Sequence, residues 1–360
     1  MRKIYFIIIL MLLFTETVSA QTKDSSVVQA EVMDMVQEYA NDSNIQIARL
    51  KILEGKYKNK ELFVQSLYIE SSEYSFDLEK GKKVLVNVSS ENGEDISGYI
   101  VNISRSDDLK LLIIIFLIVV ALFGRTKGLL SVSALAISGI IILKFMIPFI
   151  QNGYNPLLIA LISCVLIILI SFTLTLGFTY KSFVAILGTA GGTVIAGVLA
   201  LIFTDLCYIT GLSGEEVSHL ITTLGIEIDY RGLYLSGVLI GAIGVVMDVA
   251  MSITSMIFEL KRHSPNVGFA KLMGSGLEVG KDIMSTMVDT LILAYVGGTM
   301  PLFLVIINSN MSLNEALSRE VIAMEIIRSL CGSIGLILTI PLTSLIASFM
   351  VSVKKKSYGN

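Results

Sequence analysis

The feature that most constrains this chain is a series of long apolar runs after residue 108. An α-helix needs about 20 predominantly apolar residues to cross the hydrocarbon core of a membrane. Seven runs reach or approach that length: Leu109–Phe123, Leu129–Ile150, Pro156–Gly177, Phe183–Asp205, Leu233–Phe258, Ile283–Ile307 and Ser329–Val353. The sequence therefore predicts a mainly α-helical, polytopic membrane protein with about seven transmembrane helices in the lipid bilayer.

Composition supports this class and argues against several others. The chain is 54% hydrophobic and 16% charged, whereas soluble domains average about 25% charged residues. The net charge of −3 provides no basic surface for a nucleic acid. There is no phosphate-binding loop of the pattern G-x-x-x-x-G-K-S/T, and His219 and His263 lack the spacing of metal ligands. We predict neither a cofactor nor a metal. Because Cys164, Cys207 and Cys331 lie in or beside the spans, we also predict no disulfide framework.

The first 20 residues, MRKIYFIIILMLLFTETVSA, have the pattern of a signal peptide. A basic start precedes an apolar stretch, and small residues end the segment at Ala20. The alternative is an uncleaved membrane anchor. Under either interpretation, the residues that follow are exported.

Residues 21–108 predict a small exported β-rich domain. Four segments have the composition of strands, namely IARLKIL, ELFVQSLYIE, KKVLVNV and GYIVNIS. Turn residues such as Lys80-Gly81 and Asn92-Gly93 separate them, whereas Gln21–Asn44 is expected to be flexible or helical. We expect a small barrel or sandwich that stabilises the membrane part or docks a partner.

The distribution of basic residues predicts the orientation in the cell membrane. Positive charge favours the cytoplasmic side of a membrane protein. With the N-terminal domain outside, the inner segments hold Arg125, Lys127, Lys181, Lys261, Arg262, Lys271, Lys281 and Lys354–Lys356, and the outer loops hold Arg231, Arg319 and Arg328. We therefore expect an extracellular N-terminal domain and a cytoplasmic basic tail over residues 354–360. The sequence leaves the oligomeric state open, with a homo-oligomer as one expectation.

Two carboxylates lie deep in predicted spans. Asp248 is ten residues from Phe258 and Asp289 is six residues from Ile283, so they lie about 15 Å and about 9 Å from the inner ends of antiparallel helices. A charge at this depth is costly unless it is paired or hydrated, so an intramembrane acid is a functional candidate. The candidate set for binding an ion or substrate also includes Asp282, Ser252 and Thr286, which extend polar stripes on the two helices. The alternative is that the acids only fix helix packing.

Glycine and proline predict two interruptions. Gly297, Gly298 and Pro301 interrupt the sixth span, because proline removes a backbone donor and glycine makes unwinding easy. A broken span exposes helix ends to a substrate or an ion, and an ordinary proline kink is the alternative. In the preceding inner loop, Gly274 and Gly276 are expected to break a helix that begins near Ser264-Pro265.

Small residues at helical spacing predict close helix contacts. Gly188 and Gly192 are four residues apart, as are Gly237 and Gly241, with Gly244 one turn later. Such faces let the backbones of membrane helices approach each other. This signal is mainly structural.

The segments MDVAMSI and SGLEVGKDIMSTMVDTLILAYVGGTMP carry a family resemblance. They are similar to the signature of the YibE/F-like family of bacterial integral membrane proteins. The resemblance covers Leu109 to Val353 and is most specific from Gly241 to Pro301, and the exported part before the spans also resembles that family. Lys281 stands where the family often has arginine. The resemblance implies a polytopic bacterial membrane protein with an expected transport role and no defined substrate.

These observations favour a secondary, ion-coupled permease, not an enzyme. Asp248 and Asp289 would bind the coupling proton or cation, and Ser252, Thr286 and the broken backbone would line the path. One alternative is an accessory or assembly protein whose acids are structural. A weaker one is an intramembrane aspartyl protease, because Met247-Asp248 lacks the Gly-x-Gly-Asp context of such enzymes.

Overall fold

The structure of the chain, a computed structural model, describes residues 25–40, 43–68, 78–90, 96–309 and 311–354. The predicted signal peptide, the Asn92-Gly93 turn and most of the basic tail lie outside these residues. The chain forms two compact units that divide between Phe123 and Gly124.

A curled antiparallel sheet forms most of the first unit. Its strands are β1 Ser25–Ala40, β2 Ser43–Ile52, β3 Glu61–Tyr68, β4 Lys83–Ser90 and β5 Ile96–Ile103. They are ordered β3-β2-β1-β4-β5, and the edge strands β3 and β5 also contact each other, so the sheet is a small half-barrel. Its core is made by inward side chains that alternate along the strands, among them Val28, Leu50, Val64 and Val86.

The prediction for the start of this domain was wrong. Gln21–Asn44 was expected to be flexible or helical, but β1 occupies the centre of the sheet and pairs with both β2 and β4. Val28, Ala30 and Val32 are buried and the residues between them are not, which is the period of two that a strand requires. The four other predicted strands are confirmed.

The first unit also holds the start of the first helix, α1, which covers Ser106–Ile140. Near that start, the Lys83 ammonium donates a hydrogen bond to the Asp107 carboxylate at 2.6 Å, which raises the pKa of Lys83. The backbone at Arg125 is not helical (φ 47, ψ −135). Beyond Ile140 the helix continues through a π-helical segment, Ile141–Met146, into α2, Ile147–Gln151.

The second unit is helical. After α2 come α3 Pro156–Leu176, α4 Tyr180–Leu206, α5 Glu215–Thr222, α6 Tyr230–His263, α7 Phe269–Gly298, α8 Met300–Asn308, α9 Leu313–Leu317 and α10 Glu320–Lys354. Among the described residues, five helices are long and apolar enough to cross a membrane, or six if the bent pair α7 and α8 is one span. The prediction of about seven differs because the first two predicted spans fall in the continuous stretch Ser106–Gln151.

The core of the second unit is built where α4, α6 and α10 meet. Glycines make the close approaches: a Cβ at Gly192 would overlap the Thr339 hydroxyl of α10 and lie 2.8 Å from Val246 of α6. A Cβ at Gly188 would overlap Thr343 in the same way. The small-residue face predicted on α4 is therefore a helix contact. The same prediction was wrong for Gly237 and Gly244 on α6, since both are exposed and no described neighbouring helix comes within 4 Å of a Cβ placed there.

The inner-loop prediction was wrong. No break occurs at Gly274 or Gly276, because α7 begins at Phe269 and runs through both residues. Gly276 and Gly280 instead allow close packing: a Cβ at Gly276 would lie 2.7 Å from Ser344 Oγ, and one at Gly280 would overlap Ile340. The glycines that were predicted to be helix breakers therefore place α7 against α10.

A carboxylate ties the loop after α4 to the start of α10. Glu320 accepts hydrogen bonds from the backbone N–H groups of Thr210 and Gly211, at 2.7 and 2.8 Å, and from the Thr210 hydroxyl at 2.9 Å. Arg231 at the start of α6 also pairs with Asp205 at the end of α4. Hydrogen bonds to a charged group are among the stronger ones, so these contacts hold the helix ends together.

Candidate functional site

The exposed faces of the helices differ in side-chain composition, and this difference indicates which faces contact lipid. On α3, α4 and α10 the exposed side chains are bulky and apolar, as expected for contact with lipid. They include Leu158, Ile162, Val165 and Leu169 on α3, Phe183, Val194 and Ile202 on α4, and Leu330, Leu338, Leu345 and Phe349 on α10. These three faces need no covering partner.

One face of α6 has a different composition. At 3.6 residues per turn, seven residues fall within about 80° of one another around its axis. They are Gly237, Gly241, Gly244, Asp248, Ser252, Ser255 and Glu259, and we refer to them as the α6 open face. Five of the seven are exposed, and the other two, Gly241 and Ser255, are partly exposed. None of the seven has a bulky apolar side chain.

The α6 open face is long enough to cross a membrane. Its first and last residues, Gly237 and Glu259, are 22 positions apart in the sequence, which corresponds to about 33 Å along a helix. The hydrocarbon core of a bilayer is about 30 Å thick. Glycine, serine and carboxylates over this whole length favour contact with water or polar solutes over contact with acyl chains.

A cavity of about 860 Å³ lies along this face. Its walls come from α1 beyond Arg125, from α3, from α6 and from α7. Among the described residues that line it, Asp248 is the one with a charge. The lining also includes hydroxyl groups from three other helices: Ser131, Ser138, Ser171, Thr175, Thr290 and Tyr295.

Three of the six hydroxyl groups in this cavity are arranged as acceptors. Ser138, Thr175 and Thr290 each donate their proton to the backbone carbonyl four residues earlier, at distances of 2.8 to 2.9 Å. A hydroxyl has one proton and two lone pairs, so these oxygens keep only lone pairs for a ligand. Together with the Asp248 carboxylate, they form surroundings that suit a cation or a protonated group.

The structure divides the predicted carboxylate and hydroxyl site residues between α6 and α7. Asp248 lines the cavity, and Ser252 lies one turn away on the α6 open face. Asp282, Thr286 and Asp289 are exposed on α7 but do not line the cavity.

The carboxylates of Asp248 and Asp289 do not meet in this cavity. Leu291 lines the cavity, and Asp289 is about 160° from it around the α7 axis at 3.6 residues per turn. The side of α7 that faces the cavity is formed by Met287, Thr290 and Ala294.

The break in the sixth predicted span is confirmed. α7 ends at Gly298, α8 begins at Met300, and the two helices are bent by 64°. Pro301 lies in the first turn of α8. At the bend, the Thr299 hydroxyl donates to the carbonyl of Tyr295, a residue that also lines the cavity. The break therefore lies next to the end of the cavity wall.

The sequence analysis did not identify Tyr295, although this residue forms part of the cavity wall. A Cβ at Gly241 would lie 2.7 Å from the Tyr295 hydroxyl, so glycine at 241 makes room for this side chain. Sequence reasoning also missed the hydroxyl residues on the other walls. Ser131 and Ser138 are seven residues apart, and Ser171 and Thr175 are four apart, so each pair shares a helix face inside an apolar run. That spacing was the available signal.

Comparison with known proteins gives the family. The model of the YibE/F-like protein family matches residues 112–353, and the model of the YibE/F family N-terminal domain matches residues 19–103. The first of these covers the helices that hold the cavity, and the second covers the half-barrel. No curated protein and no solved structure matches the chain. Since the two matches together cover most of its length, the chain belongs to the YibE/F family of membrane proteins.

Proposed function

We propose that this protein is a secondary, ion-coupled permease in which Asp248 binds the coupling proton or cation. The observation that carries the proposal is the α6 open face, which is free of bulky apolar side chains over the thickness of a membrane. Asp248 lies near the middle of this face and in the cavity, whose otherwise mainly apolar lining includes six hydroxyl side chains. A carboxylate at that depth is stable when it is hydrated or holds a cation.

The proposed topology has seven spans in the cell membrane. The non-helical backbone at Arg125 divides the stretch Ser106–Gln151 into two spans, and the bent pair α7 and α8 forms one. Adding α3, α4, α6 and α10 gives seven. In this arrangement the N-terminal half-barrel is extracellular and the C-terminus is cytoplasmic, as the distribution of lysine and arginine favours.

The alternative roles receive less support. A purely structural acid needs a partner, but Asp248 has no hydrogen bond or ion pair with any described residue and it is exposed in its groove. An aspartyl protease needs two carboxylates close enough to share a proton, and Asp289 is on another side of α7. We therefore favour transport over an assembly role or an enzyme.

Gradient-driven flux tests the proposal directly. The purified protein is reconstituted in liposomes that contain a pH-sensitive dye, and a proton or a sodium gradient is then imposed. We expect the protein to dissipate at least one gradient faster than protein-free liposomes do. Dissipation of both gradients at the protein-free rate, with correctly folded protein in the membrane, would contradict the proposal.

A further inference from the structure

A second polar face lies on α7 and is not covered by any residue that the structure describes. Lys281, Asp282, Ser285, Thr286 and Asp289 are all exposed, and they fall within about 140° of one another at 3.6 residues per turn. The opposite side of the helix, with Leu272, Gly276, Gly280 and Leu291, is buried. We refer to the five exposed residues as the α7 polar face.

The depth of this face makes exposure to lipid unfavourable. Asp289 is six residues inside the apolar run that begins at Ile283, or about 9 Å. A carboxylate inside a span is costly, and such residues face a protein interior or water. The exposed faces of α3, α4 and α10 show that this chain uses bulky apolar residues where it meets lipid. The α7 polar face is therefore expected to contact protein or water and not acyl chains.

We propose that a second copy of this chain covers the α7 polar face, with a two-fold axis along the membrane normal. The face is complementary to itself, because it carries a cation and an anion at adjacent positions, Lys281 and Asp282. Two parallel copies of α7 related by that axis place each Lys281 level with Asp282 of the partner subunit, to within about 1.5 Å along the helix. This symmetry forms two identical ion pairs from one surface.

The next turns of α7 fit the same contact. Ser285 and Thr286 are small, and their hydroxyls donate to carbonyls of their own helix at 2.8 and 3.1 Å. Small hydroxyl residues let membrane helices approach closely. One turn further, Asp289 of each copy lies at the same height near the two-fold axis. This inference does not depend on the proposed transport activity.

Cysteine cross-linking in intact membranes tests the dimer. In a chain with Cys164, Cys207 and Cys331 replaced by serine, Ser285→Cys is treated with an oxidant. We expect a disulfide-linked dimer, which requires the two Cα atoms to come within about 7 Å. Leu338→Cys on the exposed apolar face of α10 is the matched control and should remain monomeric. The absence of a dimer at position 285, or equal cross-linking at 338, would overturn the proposal. A disulfide within one chain between positions 285 and 115 would show that the first predicted span covers the face instead, and would also overturn it.

Charge exchange tests the proposed pairing. Lys281→Asp in the Ser285→Cys chain should slow cross-linking about tenfold, because two ion pairs become two repulsive contacts. Adding Asp282→Lys to the same chain exchanges the charges and should restore the original rate. Failure of the exchange to restore cross-linking, with all variants equally abundant in the membrane, would contradict the proposed contact.

Discussion

Replacing Asp248 with asparagine is expected to reduce gradient-driven flux about a hundredfold, a loss of ~2.7 kcal/mol of interaction with the bound ion. Asparagine keeps the size and one acceptor oxygen of the side chain, but it replaces the second oxygen with an NH₂ donor, carries no charge and cannot bind a proton. Because Asp248 is exposed in a groove and holds no other helix, the amount of folded protein should stay within about twofold of wild type. The measurement is flux in liposomes, normalised to protein that remains monodisperse in detergent.

A matched variant separates the effect of this site from a general effect of acid removal. Glu278→Gln removes a carboxylate from α7 at a position that does not line the cavity, and it should keep the wild-type flux. If Asp248→Asn retained full flux, the carboxylate would not bind the coupling ion. If it lost abundance in step with flux, Asp248 would be a structural residue, as in the assembly alternative.

Leucine substitutions at Gly192 and Gly244 are expected to have different effects: the first should impair folding and the second should impair flux. At Gly192 a leucine would collide with Thr339 and Val246, which belong to two other helices. Overpacking of this kind costs about 1–3 kcal/mol, and more where backbones are in contact, so Gly192→Leu should reduce folded protein about tenfold or more. At Gly244 no atom lies within 4 Å of the point that a Cβ would occupy, so Gly244→Leu should fold normally.

The leucine at position 244 should nevertheless reduce flux strongly, because its side chain would project into the cavity one turn from Asp248. Gly244→Ala is the control, since a single methyl group leaves most of the roughly 860 Å³ open and should retain most of the activity. Folded abundance and flux are measured on all three variants. Full flux through Gly244→Leu would mean that the cavity is not on the transport path, and normal folding of Gly192→Leu would contradict the close helix contact.

The sequence predicted the class of the protein and much of its local structure. Long apolar runs determined the membrane fold, since their length and hydrophobicity are local properties. The break at Gly297–Pro301 followed from the backbone chemistry of glycine and proline. The central strand β1 was missed because polar and apolar residues in Gln21–Asn44 also fit a helix, and the pairing with β2 and β4 that decides between them is not local.

The site could be predicted only in part, for a related reason. Asp248 was identified from its depth in an apolar run. The partner groups Ser171, Thr175 and Tyr295 were not, because the rotation of each helix about its axis depends on packing with its neighbours. The same cause explains why Asp289 does not line the cavity with Asp248. The contacts of Gly276 and Gly280 with α10 determine which side of α7 is buried. The sequence alone had indicated those inner-loop glycines as helix breakers.

Water access to position 248 tests the central claim most directly. In a chain without native cysteines, Asp248→Cys is labelled with a membrane-impermeant thiol reagent in intact and inverted vesicles. The thiol must ionise to react, so labelling requires water at the site. Val194→Cys on the exposed apolar face of α4 and Ile253→Cys on the buried side of α6 are the controls. The account predicts labelling at 248 and none at 194 or 253. No labelling at 248 from either side of the membrane, in a variant that folds normally, would contradict a hydrated path along α6.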